Sequence, residues 1–129
     1  MIVMDTAHNA ASAHALVEAL AEFPIPARRS IVLSISRDKD VRAILNEFAP
    51  HFDRFIATEY QENPRAVPAN ELAEILTDVL AGRPGELAVC RTPELAWKHV
   101  RQTSVPRELV CITGSFYLAA EMRRFVHGE

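Results

Sequence analysis

The sequence has no basic run, no apolar stretch near the roughly 20 residues a membrane helix needs, and only two cysteines. Its 14 basic and 17 acidic residues leave a formal charge of −3. That balance supplies no long-range field for nucleic-acid phosphates or an anionic membrane, so neither is expected as a partner. No charged segment precedes an apolar one at the amino terminus, and no signal peptide is read. Cys90 and Cys111 sit inside apolar, strand-like runs without a Cys or His at metal-ligand spacing. This argues against a zinc site or disulfide framework and for two buried thiols in a reducing, cytoplasmic compartment. Phosphate signatures are missing as well. No Gly-x-Gly-x-x-Gly follows the first apolar run, which argues against a dinucleotide cofactor, and no Gly-x-x-x-x-Gly-Lys-[Ser/Thr] P-loop occurs.

What is present is one domain's worth of chain, 129 residues, enough for a single core that buries about two-thirds of the unfolded surface. Strand and helix patterns alternate five times. Met1 to Met4 predicts a first strand, and Ala10 to Glu22 a helix capped by Asn9, with Leu16, Val17 and Leu20 on its apolar stripe. Phe23-Pro24-Ile25-Pro26 terminates that helix. The near-continuous apolar run Ser30 to Ile35 fits a parallel strand covered on both faces. A helix over Asp38 to Phe48, a strand over Phe52 to Ala57 and a polar loop from Thr58 to Val67 follow. A helix from Ala69 to Leu80 then ends at Gly82, before a strand from Leu87 to Cys90. Thr92-Pro93-Glu94 combines a hydroxyl cap, a proline at the first position and an early acid, and so opens a helix that runs to about Gln102. Glu108 to Thr113 is the last strand, broken by Gly114, and Ser115 to Val126 the closing helix. The pattern predicts an α/β fold, a Rossmann-like three-layer sandwich. Its mostly parallel sheet has five or six strands, helices on both faces, right-handed crossovers and the first strand at the centre.

Ligands in such sheets lie beyond the carboxyl ends of the strands. Three polar clusters stand at such ends: Asp5-Thr6-Ala7-His8-Asn9, Ser34 to Asp40, and Thr113-Gly114-Ser115. Asp5 is placed either to hold a ribose hydroxyl or cation, or to cap its own loop. His8 lies near a helix N-terminus, where an imidazolium is disfavoured; neutral, it is suited to donate to a phosphate oxygen, or else it is structural. Lys39, in the first turn of the second helix, either clamps a substrate carboxylate or is a solvated lysine. Gly114-Ser115 offers close backbone approach and a hydroxyl at a helix start, which suits oxyanions and equally an ordinary cap. Phe116 and Tyr117 read as core, although Tyr117 can present its hydroxyl at the cleft.

Taken in order, Asp5-Thr6-Ala7-His8-Asn9, Ser36-Arg37-Asp38-Lys39-Asp40, Pro64-Arg65-Ala66 and Gly114-Ser115-Phe116-Tyr117 resemble the C-terminal domain of folylpolyglutamate synthase/dihydrofolate synthase. That family consists of amide ligases of the Mur type. The family's first motif usually reads Asp-Gly-Ala-His-Asn, so Thr6 replaces a glycine. The resemblance spans nearly all of residues 1–129 and implies a fragment of a longer enzyme. An N-terminal P-loop domain of the same polypeptide would bind ATP and Mg2+, and this glutamate-ligase domain would close over it. The implied reaction phosphorylates the terminal carboxylate of folate or dihydropteroate, and L-glutamate then attacks the acyl phosphate. Carried over, Asp5 and His8 are catalytic and, with Asn9, contact the nucleotide. Lys39 and Ser115 hold glutamate, with Ser36, Arg65 and Tyr117 as further substrate-binding candidates and no metal ligand in this chain. The short lead into Asp5 suggests a domain cut from a longer protein, inactive by itself.

A cell-wall ligase of the same superfamily is disfavoured by the Asp-x-Ala-His-Asn form. A stand-alone, non-catalytic nucleotide-binding module is a second alternative. A hydrolase with Asp5 as nucleophile lacks the second aspartate usually found two residues on.

Overall fold

The computed structural model describes residues 1–24 and 26–126. Its strands are β1 (Ile2–Met4), β2 (Arg28–Leu33), β3 (Arg54–Ala57), β4 (Glu86–Val89) and β5 (Glu108–Thr113). They form one parallel sheet of order β1-β5-β2-β3-β4. Helices α1 (Ala10–Leu20), α2 (Val41–Phe48), α3 (Ala69–Val79), α4 (Pro93–Gln102) and α5 (Phe116–Val126) connect or follow the strands.

Side chains alternate across a strand, and the two faces of the sheet carry separate apolar clusters. Ile31, Leu33, Phe55, Ala57, Leu109 and Cys111 pack against α1, α2 and α3. Val32, Ile56, Val110 and Ile112 pack against α4 and α5. Both faces of β2 and β5 are therefore covered where they cross the core, which is why Ile31 to Leu33 and Leu109 to Ile112 are unbroken apolar runs. The result is the expected three-layer Rossmann-like sandwich.

The first strand is not central. β1 pairs only with β5 and forms an edge, because β5, the last strand in sequence, inserts between β1 and β2. Its three residues and the 42% exposure of Ile2 agree with that edge position, whereas all six residues of β5 are buried. The second helix begins at Val41 with Asp40 as its cap, the Asp40 Oδ1 accepting from the Ala43 amide at 3.1 Å. Lys39 consequently lies in the turn before the helix and not in its first turn. Strand β2 starts two residues earlier than its apolar run, because Arg28 and Arg29 pair with Glu108 and Leu109. Helix α1 ends at Leu20, and of the terminating residues beyond it Ile25 lies outside the described residues.

Cys111 is fully buried in β5, its thiol pushed up to about 12 by burial and by the nearby Asp5 carboxylate. Cys90 follows β4 and is only half-buried, so the inert-core reading holds for one thiol and not wholly for the other. At the amino end of the sheet, Arg54 and Arg28 both contact the Glu108 carboxylate, and the Ser30 hydroxyl donates to it. This network locks the edge opposite the polar clusters. Among the described residues, no helix is long and apolar enough to cross a membrane.

Candidate functional site

Because every strand is parallel, every strand-to-helix junction opens on the same edge. One cleft there is lined by His8 from the β1–α1 turn, Ser36, Asp38 and Lys39 from the β2–α2 turn, Arg65 from the loop after β3, and Ser115, Phe116 and Tyr117 from the β5–α5 junction. Six of the residues singled out in the sequence meet in it: His8, Ser36, Lys39, Arg65, Ser115 and Tyr117. Asp5 and Asn9 do not line it.

The local reasons are visible bond by bond. The Asp5 amide donates to the Ile112 carbonyl at 3.0 Å, which extends the β1–β5 pairing, and Asp5 Oδ1 accepts from the Ala7 amide at 2.8 Å. The carboxylate thus closes an Asx turn, while Oδ2 has no protein partner among the described residues. Asn9 caps α1: its Oδ1 accepts from the Ser12 amide at 2.8 Å, and the Ser12 hydroxyl accepts from the Asn9 amide at 3.2 Å. That reciprocal box commits the Asn9 side chain to the helix.

His8 is exposed, and its Nδ1 lies 2.9 Å from the Thr6 carbonyl oxygen. A carbonyl only accepts, so Nδ1 carries the proton. The neutral ring then offers Nε2 as an acceptor, and donation to a phosphate oxygen from Nε2 requires the imidazolium. The expectation of a neutral donor is corrected accordingly.

Lys39 is held by its backbone, whose amide donates to the Ser36 carbonyl at 3.1 Å, and its ammonium makes no ion pair among the described residues. Arg65 is fixed similarly. Its carbonyl accepts from the Arg37 amide at 2.6 Å and its amide donates to Asn63 Oδ1 at 2.9 Å, while the guanidinium has no protein partner among the described residues. Ser36 and Ala66 form an isolated antiparallel bridge that ties these two segments together. Ser115 is buried and immediately precedes α5, its Oγ accepting from the Tyr117 amide at 3.0 Å. The hydroxyl proton of Ser115 remains available to a ligand.

Gly114 has a local explanation. Its φ is +108°, and a Cβ there would stand 2.8 Å from the Ser34 carbonyl oxygen. Backbone crowding between β5 and β2 demands the glycine, whatever the cleft holds.

Two cations whose charged groups have no protein partner among the described residues, and the three hydroxyls of Ser36, Ser115 and Tyr117, share the cleft with one acid, Asp38, and suit it to an anion carrying carboxylate or phosphate oxygens. Among the described residues, no three His, Cys, Asp or Glu side chains gather at metal-binding spacing. Phe116 belongs to the rim and not to the core: it is 66% exposed and stands edge-on to Tyr117 at 6.1 Å between ring centroids.

Two supporting residues escaped the sequence reading. Tyr60 is buried under the cleft with its phenol oxygen 2.6 Å from Ser36 Oγ. Glu121 on α5 accepts the Gln61 amide at 2.8 Å and the Glu62 amide at 2.9 Å, and so pins the same loop. The available signals were an aromatic within a polar loop and an acid between Leu118 and Met122 on the buried stripe of α5.

A family model described as Mur ligase, glutamate ligase domain, matches residues 1–116. No curated sequence matches. The fold is that of E. coli FolC in complex with DHPP and ADP, with TM-score 0.86 and 22% identity over 98% of this chain and 28% of that one. Mycobacterium tuberculosis folylpolyglutamate synthase complexed with ADP is similar at TM-score 0.82 and 28% identity, over 99% of this chain and 30% of that one. The bifunctional folylpolyglutamate synthase/dihydrofolate synthase from Yersinia pestis, with Mn, AMPPNP and L-glutamate bound, gives 0.78 and 25% over 98% and 29%. The chain therefore spans less than a third of each of these proteins.

Proposed function

The chain belongs to the Mur ligase family through its glutamate ligase domain, and from this we propose that it is the C-terminal domain of an ATP-dependent folylpolyglutamate/dihydrofolate synthase. The observation that carries the reading is the convergence of Lys39, Arg65, Ser36 and Ser115 on one cleft at the carboxyl edge of the sheet. L-glutamate presents two carboxylates, and two cations flanked by hydroxyl donors match that charge and geometry.

In this reading Lys39 and Arg65 take the glutamate carboxylates, Ser36 and Ser115 add hydrogen bonds, and Tyr117 closes the rim with its hydroxyl. Asp5 and His8 face the nucleotide, and Asn9 holds the turn that carries them. ATP with Mg2+, bound mainly by an N-terminal P-loop domain of the same polypeptide, supplies the phosphoryl group that activates the folate or dihydropteroate carboxylate. The glutamate nitrogen then attacks the activated carbonyl carbon. The C–N bond forms, the C–O bond to phosphate breaks, and the amine proton departs. This domain contributes orientation: holding the amine at the acyl carbon supplies several kcal/mol of the rate enhancement. Two free thiols suit a cytoplasmic setting.

The test is ligase turnover. The polypeptide joining a P-loop domain to this one is expected to form glutamylated folate from ATP and L-glutamate. Residues 1–129 alone are expected neither to hydrolyse ATP nor to make the amide. Turnover by the isolated chain, or a preference of the joined enzyme for a cell-wall precursor and another amino acid, overturns the reading.

A further inference from the structure

Tyr60 lies beneath the cleft without lining it. It is 1% exposed and shares the apolar cluster under α4 and α5 with Val32, Ile56 and Ala66. Three contacts fix it in place. Its amide donates to Ser34 Oγ at 3.1 Å, its phenol oxygen lies 2.6 Å from Ser36 Oγ, and its ring centroid is 5.1 Å from that of Tyr117 at an interplanar angle of 34°. Ser36 and Tyr117 are both cleft residues.

The direction of one proton decides what this arrangement does. A phenol is a stronger acid than an alcohol, and Ser36 Oγ is the only hydrogen-bond partner of the Tyr60 hydroxyl among the described residues. Were Ser36 the donor, the phenol proton would stay buried without an acceptor, a state that folded proteins avoid. Tyr60 therefore donates, Ser36 accepts, and the Ser36 proton is left over for the cleft. The Ser36 backbone cannot easily turn away, since its carbonyl accepts from Lys39 and the neighbouring Ile35 carbonyl accepts from the Val67 amide at 2.9 Å. The loop bearing Tyr60 is pinned from the other side by the Glu121 carboxylate.

We propose that Tyr60 is a positioning residue of this cleft: its phenol donates to Ser36 so that the Ser36 hydroxyl becomes a donor to a ligand carboxylate, while its ring backs Tyr117. The inference rests on the reading of the cleft as the glutamate site. Tyr60 itself touches no ligand and acts through its two neighbours.

In the complete ligase, Tyr60→Phe keeps the ring and removes the proton. The KM for L-glutamate is expected to rise about fivefold, the effect of one neutral hydrogen bond, with kcat and the KM for ATP close to their original values. Ser36→Ala should give a similar rise, and Tyr60→Phe should add nothing in the Ser36→Ala background. A Tyr60→Phe variant with lowered thermal stability and an unmoved glutamate KM makes Tyr60 a core residue only and overturns the proposal. Fully additive effects of the two substitutions overturn the route through Ser36. Lys39→Ala in the same assay separates the levels: if it raises the glutamate KM while Tyr60→Phe does not, the positioning role alone falls. If neither variant moves it, the glutamate reading falls and takes the positioning role with it.

Discussion

The Arg54 guanidinium and the Glu108 carboxylate meet at 2.8 Å, their side chains 3% and 4% exposed, at the amino end of the sheet. Burial pushes the Glu108 carboxyl up, but the Ser30 hydroxyl, the Arg54 charge, the Val105 amide and the Arg28 charge together outweigh it and hold the group below its usual range. A carboxyl lowered in the folded state binds fewer protons there than in the unfolded chain. Its contribution to stability is therefore present above the unfolded pKa, near 4.5, and is lost as pH falls through the lower folded value. Glu108→Gln should flatten the acid limb of a denaturation curve measured between pH 6 and pH 3. It should also cost about 3 kcal/mol at neutral pH, since it leaves two arginines without their carboxylate. An unchanged acid limb refutes this assignment.

Gly114→Ala should destabilise the domain by about 2 kcal/mol or more. The new methyl meets the Ser34 carbonyl at 2.8 Å, and the backbone sits at φ +108°, where a residue with a Cβ is strained by roughly 1–3 kcal/mol before any clash. Urea denaturation of the purified chain reads this directly. A midpoint equal to that of the parent shows that the β5–β2 approach relaxes without cost.

Lys39→Ala in the complete ligase should raise the KM for L-glutamate at least tenfold, the range for a charge-assisted contact worth about 1.5–3 kcal/mol. The KM for ATP should move much less. Steady-state kinetics with each substrate varied in turn makes the comparison, and equal shifts in both constants remove Lys39 from the glutamate site.

His8→Ala should lower kcat and leave folding intact, because the ring is exposed and its one side-chain bond among the described residues, from Nδ1 to the Thr6 carbonyl, lies at the surface. Circular dichroism and turnover measured on the same preparation decide it. An unchanged kcat assigns His8 to the turn alone.

Local signals in the sequence reported local structure faithfully. Thr92-Pro93-Glu94 starts α4 where its capping chemistry requires, with Thr92 Oγ1 accepting from the Leu95 amide at 3.2 Å. Asn9 caps α1, and β5 runs over the predicted Glu108 to Thr113. These features depend on contiguous residues, through hydrogen bonds spanning three or four positions and through the period of apolar side chains. Parallel alternation of strand and helix also makes it inevitable that the polar tips share an edge, so the gathering of His8, Lys39 and Ser115 was legible.

The strand order was settled only in three dimensions. The position of β1 depends on β5, more than a hundred residues later, pairing with Ile2 to Met4 on one side and with β2 on the other, and no local pattern encodes that insertion. The same holds for individual polar atoms. Whether Ser36 points a proton at a ligand depends on Tyr60, and whether the Arg65 guanidinium is free depends on every acid the crossovers bring near. Residue type and spacing therefore determined the layers and the candidate chemistry, while side-chain partnership across the sheet edge decided which groups remain available to bind.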